Sequence, residues 1–171
     1  MNIINRMINK KDKPYIIIAI ALGFLNHFLY DWSDHAAFTA LFCPVNESVW
    51  EHLKLLFFPL LFVTVLEYLR SKGAIIRFFY YRFLSAMGAM GSTIMLFYTY
   101  TGMIGRNYLV FDISIFFSSI LIAFAIYRYC CKRQWNEPSQ STTFSMWIVV
   151  ALLFFAFTCF PPDIPLFFPT P

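Results

Sequence analysis

Imidazoles and carboxylates are the side chains best suited to hold a metal ion or move a proton, and in this chain they are bunched. All three histidines and five of the nine acidic residues lie between His27 and Glu67. The run reads His27, Asp31, Asp34, His35, then Asn46-Glu47-Ser48-Val49-Trp50-Glu51-His52-Leu53-Lys54. Its surroundings are mostly apolar, and an ionisable group in an apolar membrane segment is costly and a functional suspect by default. His27, His52 and His35, with Asp31, are ligand types for zinc or iron, and a catalytic site of that kind leaves one position open for water. Glu51 or Glu47, left over, has the chemistry of a general base. Asn46, Ser48, Asp112 and Arg106 are the polar groups that would bind a ligand beside it. Such a site has the means to hydrolyse a lipid or a peptide at a membrane surface. There is no compact HExxH signature to support it, and two helices alone rarely close a coordination sphere.

The elements that must position these groups follow from composition. The chain has 171 residues, 60% hydrophobic, 21% aromatic and 13% charged, against about 25% charged in an ordinary soluble domain. Lipid is the natural solvent of such a chain. The expected fold is all-α: one integral membrane helical bundle over residues 1–171, with spans at about 14–34, 47–69, 79–104, 108–131 and 143–160. Pro161-Pro162 ends the last span, and Pro59 predicts a kink inside the second because the Leu55 carbonyl loses its donor. The net charge of +4 is no argument for nucleic acid, since the basic residues sit at span ends. Arg6, Lys10, Lys11 and Lys13 precede the first span. Arg70, Lys72, Arg77 and Arg82 lie around the second connection, and Arg128, Lys132 and Arg133 around the fourth. The positive-inside rule then puts the N-terminus inside and the C-terminus outside. Cys43, Cys130, Cys131 and Cys159 show no metal-site spacing; Cys43 and Cys159 are both near the outer side, where a pairing is open.

Depth brings the polar groups together. With a rise of about 1.5 Å per residue, His27 lies roughly 18 Å and Asp31 roughly 24 Å up a core about 30 Å thick, and His52 and Glu51 roughly 22 and 24 Å up the second span. A short connection makes the two helices antiparallel neighbours. His27, Asp31 and His35, four apart, share a helix face, as do Ser48 and His52. Asp112, Tyr98, Tyr100 and Thr101 reach the same leaflet. A metal site requires the imidazoles of His27 and His52 to meet within about 4 Å beside a carboxylate.

Two other readings compete. In one, carboxylates and histidines at matched depth relay protons or hold a cation in an ion or small-molecule transport component, although no inverted repeat is visible. In the other, the network only pins helices. Asn46 or Ser48 caps the second helix, Ser48-x-x-Glu51 forms a capping box, and Glu51 pairs with Lys54. Trp32 and Trp50 then serve as interface anchors. Ser85, Gly88, Ala89, Gly91 and Ser92 predict close helix packing in the third span, and the proline-rich tail after Phe160 is expected on the outer interface, with its covering of the cluster left open.

The block Pro44-Val45-Asn46-Glu47-Ser48-Val49-Trp50-Glu51-His52-Leu53-Lys54, with Asn26-His27, Tyr30-Asp31-Trp32 and the Pro161-Pro162 and Pro165-Leu166-Phe167 tail, resembles a family of small bacterial integral membrane proteins known only as a domain of unknown function. The resemblance covers most of the chain. It implies a bacterial cytoplasmic-membrane protein, multi-pass in the cell membrane, and brings no activity. Where that family's tail carries an acidic residue, this chain has Phe168-Pro169-Thr170-Pro171. The partners expected are the lipid bilayer and, as an open alternative, further copies of the chain in a homo-oligomer.

Overall fold

A computed structural model describes residues 10–70, 75–136 and 138–169. Arg6 and Lys72, counted above among the basic residues, lie outside them. The fold is all-α. Helices α1 (Lys13–Trp32), α2 (Ala37–Phe42), α3 (Val49–Arg70), α4 (Ile75–Ile104), α5 (Leu109–Arg133) and α6 (Gln140–Cys159) are followed by a 3₁₀ turn at Pro165–Phe167. The five long helices coincide with the five apolar segments. Their ends have local causes. Pro14 opens α1, where its missing N–H is no loss. The Ser139 hydroxyl accepts from the Thr142 N–H at the start of α6. Gln134 closes α5 in a left-handed conformation.

Among the described residues, α1, α3, α5 and α6 are long and apolar enough to cross a membrane. The fifth long helix, α4, has 30 residues but is not one of these four; arginines, hydroxyls and tyrosines dilute its apolar character. The outer surfaces of the bundle are greasy. Ile17, Phe38, Leu69, Met103, Val110, Ile148 and Phe160 are all more than half exposed, far beyond the scattered apolar residues of a soluble surface.

Helix α3 is the axis. It packs against α1, α4, α5, α6 and the 3₁₀ turn, and 61% of its membrane-length window is buried, against 17–22% for the other three. A helix apolar all round must be wrapped this way. Leu53, Leu56, Phe57, Leu60 and Val63 form the centre of the core with Phe124, Trp147 and Phe154. Helix α3 stays continuous through Pro59. At the α1 crossing the Leu55 carbonyl, which proline leaves without its helical donor, lies so close to Gly23 that a Cβ there would stand 2.8 Å from it and 2.4 Å from the Phe116 ring. The small residues of α4 divide. Ser85 and Ala89 are buried and a Cβ at Gly88 would meet Ile126, whereas a Cβ at Gly91 would meet no neighbouring element within 4 Å, so Gly91 takes no part in close packing.

The two ends of the bundle carry different charges. At one end Arg128 of α5 meets Asp12 at 3.7 Å and Arg82 of α4 pairs with Glu67 of α3. Buried Arg82 also lies over the rings of Tyr127 and Phe124, 3.9 and 4.6 Å from their centroids. The other end holds His27, Glu47, His52 and Asp112. Gly23→Ala is expected to cost about 1–3 kcal/mol through overpacking, while Gly91→Ala should stabilise the helix by about 0.5–1 kcal/mol; thermal unfolding of the two purified variants in detergent checks both.

Candidate functional site

The turn before α3 is built by its own polar groups. The Asn46 side-chain oxygen accepts from the Ser48 N–H at 2.9 Å, and the Ser48 hydroxyl accepts from the Glu51 N–H at 3.3 Å. This is half of the expected capping box. The other half is missing, because the Glu51 carboxylate turns away from the Ser48 N–H. It accepts from the Val45 N–H at 3.0 Å, from the Thr158 hydroxyl of α6 at 3.0 Å and from the Lys54 ammonium at 2.7 Å. Lys54, fully buried, also donates to the carbonyls of Ala40 at 2.8 Å and Cys43 at 3.2 Å. Nearby, Asn26 donates to the Phe42 carbonyl and accepts from the Cys43 thiol, both at 2.9 Å. Burial pushes that thiol up to about 11 despite neighbouring Lys54. Cys43 and Cys159 are both free thiols.

One residue along, His52 points elsewhere. Its Nδ1 lies 2.9 Å from the Ser48 carbonyl, an acceptor only, so Nδ1 carries the proton. Its Nε2 lies 3.2 Å from a Glu47 carboxylate oxygen. In neutral His52 that nitrogen offers a lone pair, and a lone pair beside a carboxylate calls for a cation between them, either a proton or a metal. The Glu47 carboxyl, in the turn outside the helices, is held below its ordinary range chiefly by that hydrogen bond from His52. His27 of α1 completes the group, its ring centroid 5.5 Å from that of His52. Its Nδ1 is buried without a hydrogen-bond partner.

One ligand atom from each of His27, Glu47 and His52 lies within 4.8 Å of the others. Tetrahedral zinc, with bonds of about 2.0–2.1 Å, sets its ligands about 3.3 Å apart. The His52–Glu47 pair already has that separation, and His27 offers its ligand atom within 4.8 Å of both. The three donors come from three places along the chain: α1, the turn and α3.

A cavity of about 260 Å³ opens against these residues, lined also by Asn107 and by Asp112 of α5. Asp112 accepts a hydrogen bond from the Tyr100 hydroxyl of α4. Arg106 does not reach it; its Nε donates to the Tyr108 hydroxyl at 2.6 Å. Asn46 and Ser48 hold the turn rather than line the cavity.

Asp31 and His35 lie apart. The helix ends at Trp32, and Asp34 and His35 take left-handed φ angles of 54° and 60°, so the i, i+4 face anticipated from His27 does not extend to His35. The two residues meet each other at 3.6 Å, both largely exposed. Trp32 is exposed, but Trp50 is packed inward between Phe154 and Phe167, with ring centroids at 4.8 and 4.9 Å. The tail follows it: Pro169 bridges to Ser48, and none of the described tail residues lines the cavity. It seats on the Trp50 side of α3.

Sequence reasoning named Glu51 for chemistry and gave Lys54 only a pairing role; the buried web that joins them to Thr158, Ala40 and Cys43 had no signal in spacing. Asn107, Thr93 and Phe97, which line the cavity, also went unmarked. All of this defines an all-α bundle of membrane-length apolar helices with a His/Glu cluster at one end. The chain belongs to the family of unknown function DUF6512, which matches residues 3–170. Neither a curated protein nor a solved structure matches the chain.

Removing one member of the buried pair leaves an uncompensated charge, so Glu51→Ala is expected to lose about 3–5 kcal/mol. The double variant Glu51→Leu with Lys54→Met, which buries no lone charge, should lose less. Denaturant unfolding of both in detergent checks the order.

Proposed function

We propose that this chain is a single multi-pass membrane domain that holds a divalent transition-metal ion, zinc or iron, between His27, Glu47 and His52. All five long helices cross the bilayer, with the N-terminus inside and the His/Glu end facing out. The observation that carries the reading is the His52 ring. Its Nδ1–H is committed to the Ser48 carbonyl, the kind of bond that fixes the tautomer and orientation of a metal-binding imidazole with Nε2 as donor, and that Nε2 faces Glu47 with His27 beside it. Two imidazoles and a carboxylate form a ligand set that leaves a fourth position open for water or a ligand. When bound, the ion would supply Lewis acidity there. Glu51 belongs to the helix-pinning web and not to the ligand set in this reading, and Asp31 and His35 form a separate surface pair.

The arrangement of charge supports the orientation. Lys13, Arg70, Arg128, Lys132 and Arg133 gather at the end opposite the cluster, as cytoplasmic ends do. A site at the outer surface of the cell membrane suits a lipid or envelope component.

Elemental analysis of the protein in detergent is expected to find close to one zinc or iron per chain. His52→Ala and His27→Ala should lose it, and Asp31→Ala should keep it. A metal-free wild type, with His52→Ala folded but less stable, would instead establish a His52–Glu47 hydrogen bond that only pins the turn. Orientation has its own check: an epitope at the C-terminus should react with antibody on intact cells, and one at the N-terminus only after permeabilisation. The reverse pattern would put the cluster on the cytoplasmic side.

A further inference from the structure

We infer that the cavity beside the cluster is the seat of a single acyl chain whose uncharged ester or amide carbonyl sits at the metal; the inference rests on the metal reading above. The polar side chains of the cavity gather toward its outer end, and most of its apolar ones lie deeper along the helix axes. His52 and Asp112 stand at the polar end with His27, Glu47 and Asn107. Leu56 and Phe116 also line it, each four residues further along its helix, or about 6 Å deeper toward the middle of the bundle. Leu55, Phe97 and Ile115 add to the apolar walls there, where the Thr93 hydroxyl is bonded to Ser119, while Val49 and Leu109 stand at the outer rim. A lipid of the same leaflet has the same order of polarity, with its head at the level of Glu47 and its chain running inward, so it can enter without turning over.

Charge selects the head. A divalent ion would be balanced by the Glu47 and Asp112 carboxylates, which leaves the site near neutrality. A phosphate dianion would bring two further negative charges beside Asp112, whereas a neutral carbonyl brings none. The Tyr100 hydroxyl orients the Asp112 carboxylate, which then presents an acceptor to a hydroxyl or amide N–H on the head. Volume sets the scale: about 260 Å³ is below the usual 300–1,000 Å³ of a drug-sized site, enough for a head and a stretch of one chain and too little for a two-chain lipid to be enclosed whole.

The test uses zinc-loaded full-length protein in nanodiscs and hydroxamates of increasing chain length, from acetohydroxamate to decanohydroxamate, with calorimetry as the readout. A hydroxamate carries the acyl carbonyl and binds zinc directly. Affinity is expected to rise about threefold to fourfold per methylene over the first few carbons and then level off. Ile115→Trp, which fills the apolar end, should keep its zinc and its acetohydroxamate affinity and lose the chain-length dependence. Phe97→Trp serves the same purpose should the first variant not fold. Partition into the nanodisc acts on all variants alike, so the difference between wild type and variant isolates the cavity. Flat affinity in the wild type with zinc bound would overturn the chain assignment and leave the metal site standing, as would equal chain dependence in the filled variants. An alkyl phosphate binding more tightly than the uncharged primary amide of equal chain length would overturn the neutral head. Failure to take up zinc at all would overturn the metal reading and this inference with it.

Discussion

The arrangement turns on an ion pair with almost no water. Glu51 and Lys54 are both buried at the start of α3, where each charge alone would cost several kcal/mol to desolvate. They are held because every strong bond they need is provided: Val45 and Thr158 on the carboxylate, Ala40 and Cys43 carbonyls on the ammonium. Those partners come from the turn, from α2 and its end, and from α6. The pair therefore fixes the short helix, the turn and the last helix against the central one at a single point. Because consecutive helix residues point about 100° apart, locking Glu51 and Lys54 toward α6 turns His52 toward α1.

This division explains why the Asn46–Lys54 block supports both a structural and a chemical reading. Glu51 and Lys54 do what a helix-pinning network does. Glu47 and His52 lie outside that web: Glu47 is exposed, and its partner is an imidazole whose other nitrogen is committed to a backbone carbonyl. His27 stands beside them with its Nδ1 buried and without a hydrogen-bond partner. The two readings are thus two faces of one helix turn, and the second depends on the first for its geometry.

The opposite end of the bundle solves a similar problem by different means. Arg82 is buried in a helix less apolar than its neighbours, and it answers Glu67 on α3 while its guanidinium lies across Tyr127 and Phe124. Planar delocalised charge tolerates an aromatic face where an ammonium keeps its hydration shell. With Arg128 on Asp12, this ties α1, α3, α4 and α5 at the basic end. The two ends are pinned independently, with a core of Leu and Phe between them.

The five long helices were legible in the chain because apolar runs of membrane length bounded by proline and basic residues admit little else. The meeting of His27 with His52 was legible too, from antiparallel neighbours and a constant rise per residue. Three things were decided in space. Whether His35 joins His27 depended on where α1 ends, and two left-handed residues after Trp32 divert it. Whether Glu51 or Glu47 faces the imidazoles depended on Lys54 and on Thr158, which is 107 residues away in the chain. Whether Asp112 joins the cluster depended on α4 and α5 packing beside α3, where Tyr100 meets it. Periodicity reports which residues share a face of one helix. The direction in which that face points is set by its contacts with the others, and those contacts are made between residues that no local spacing relates.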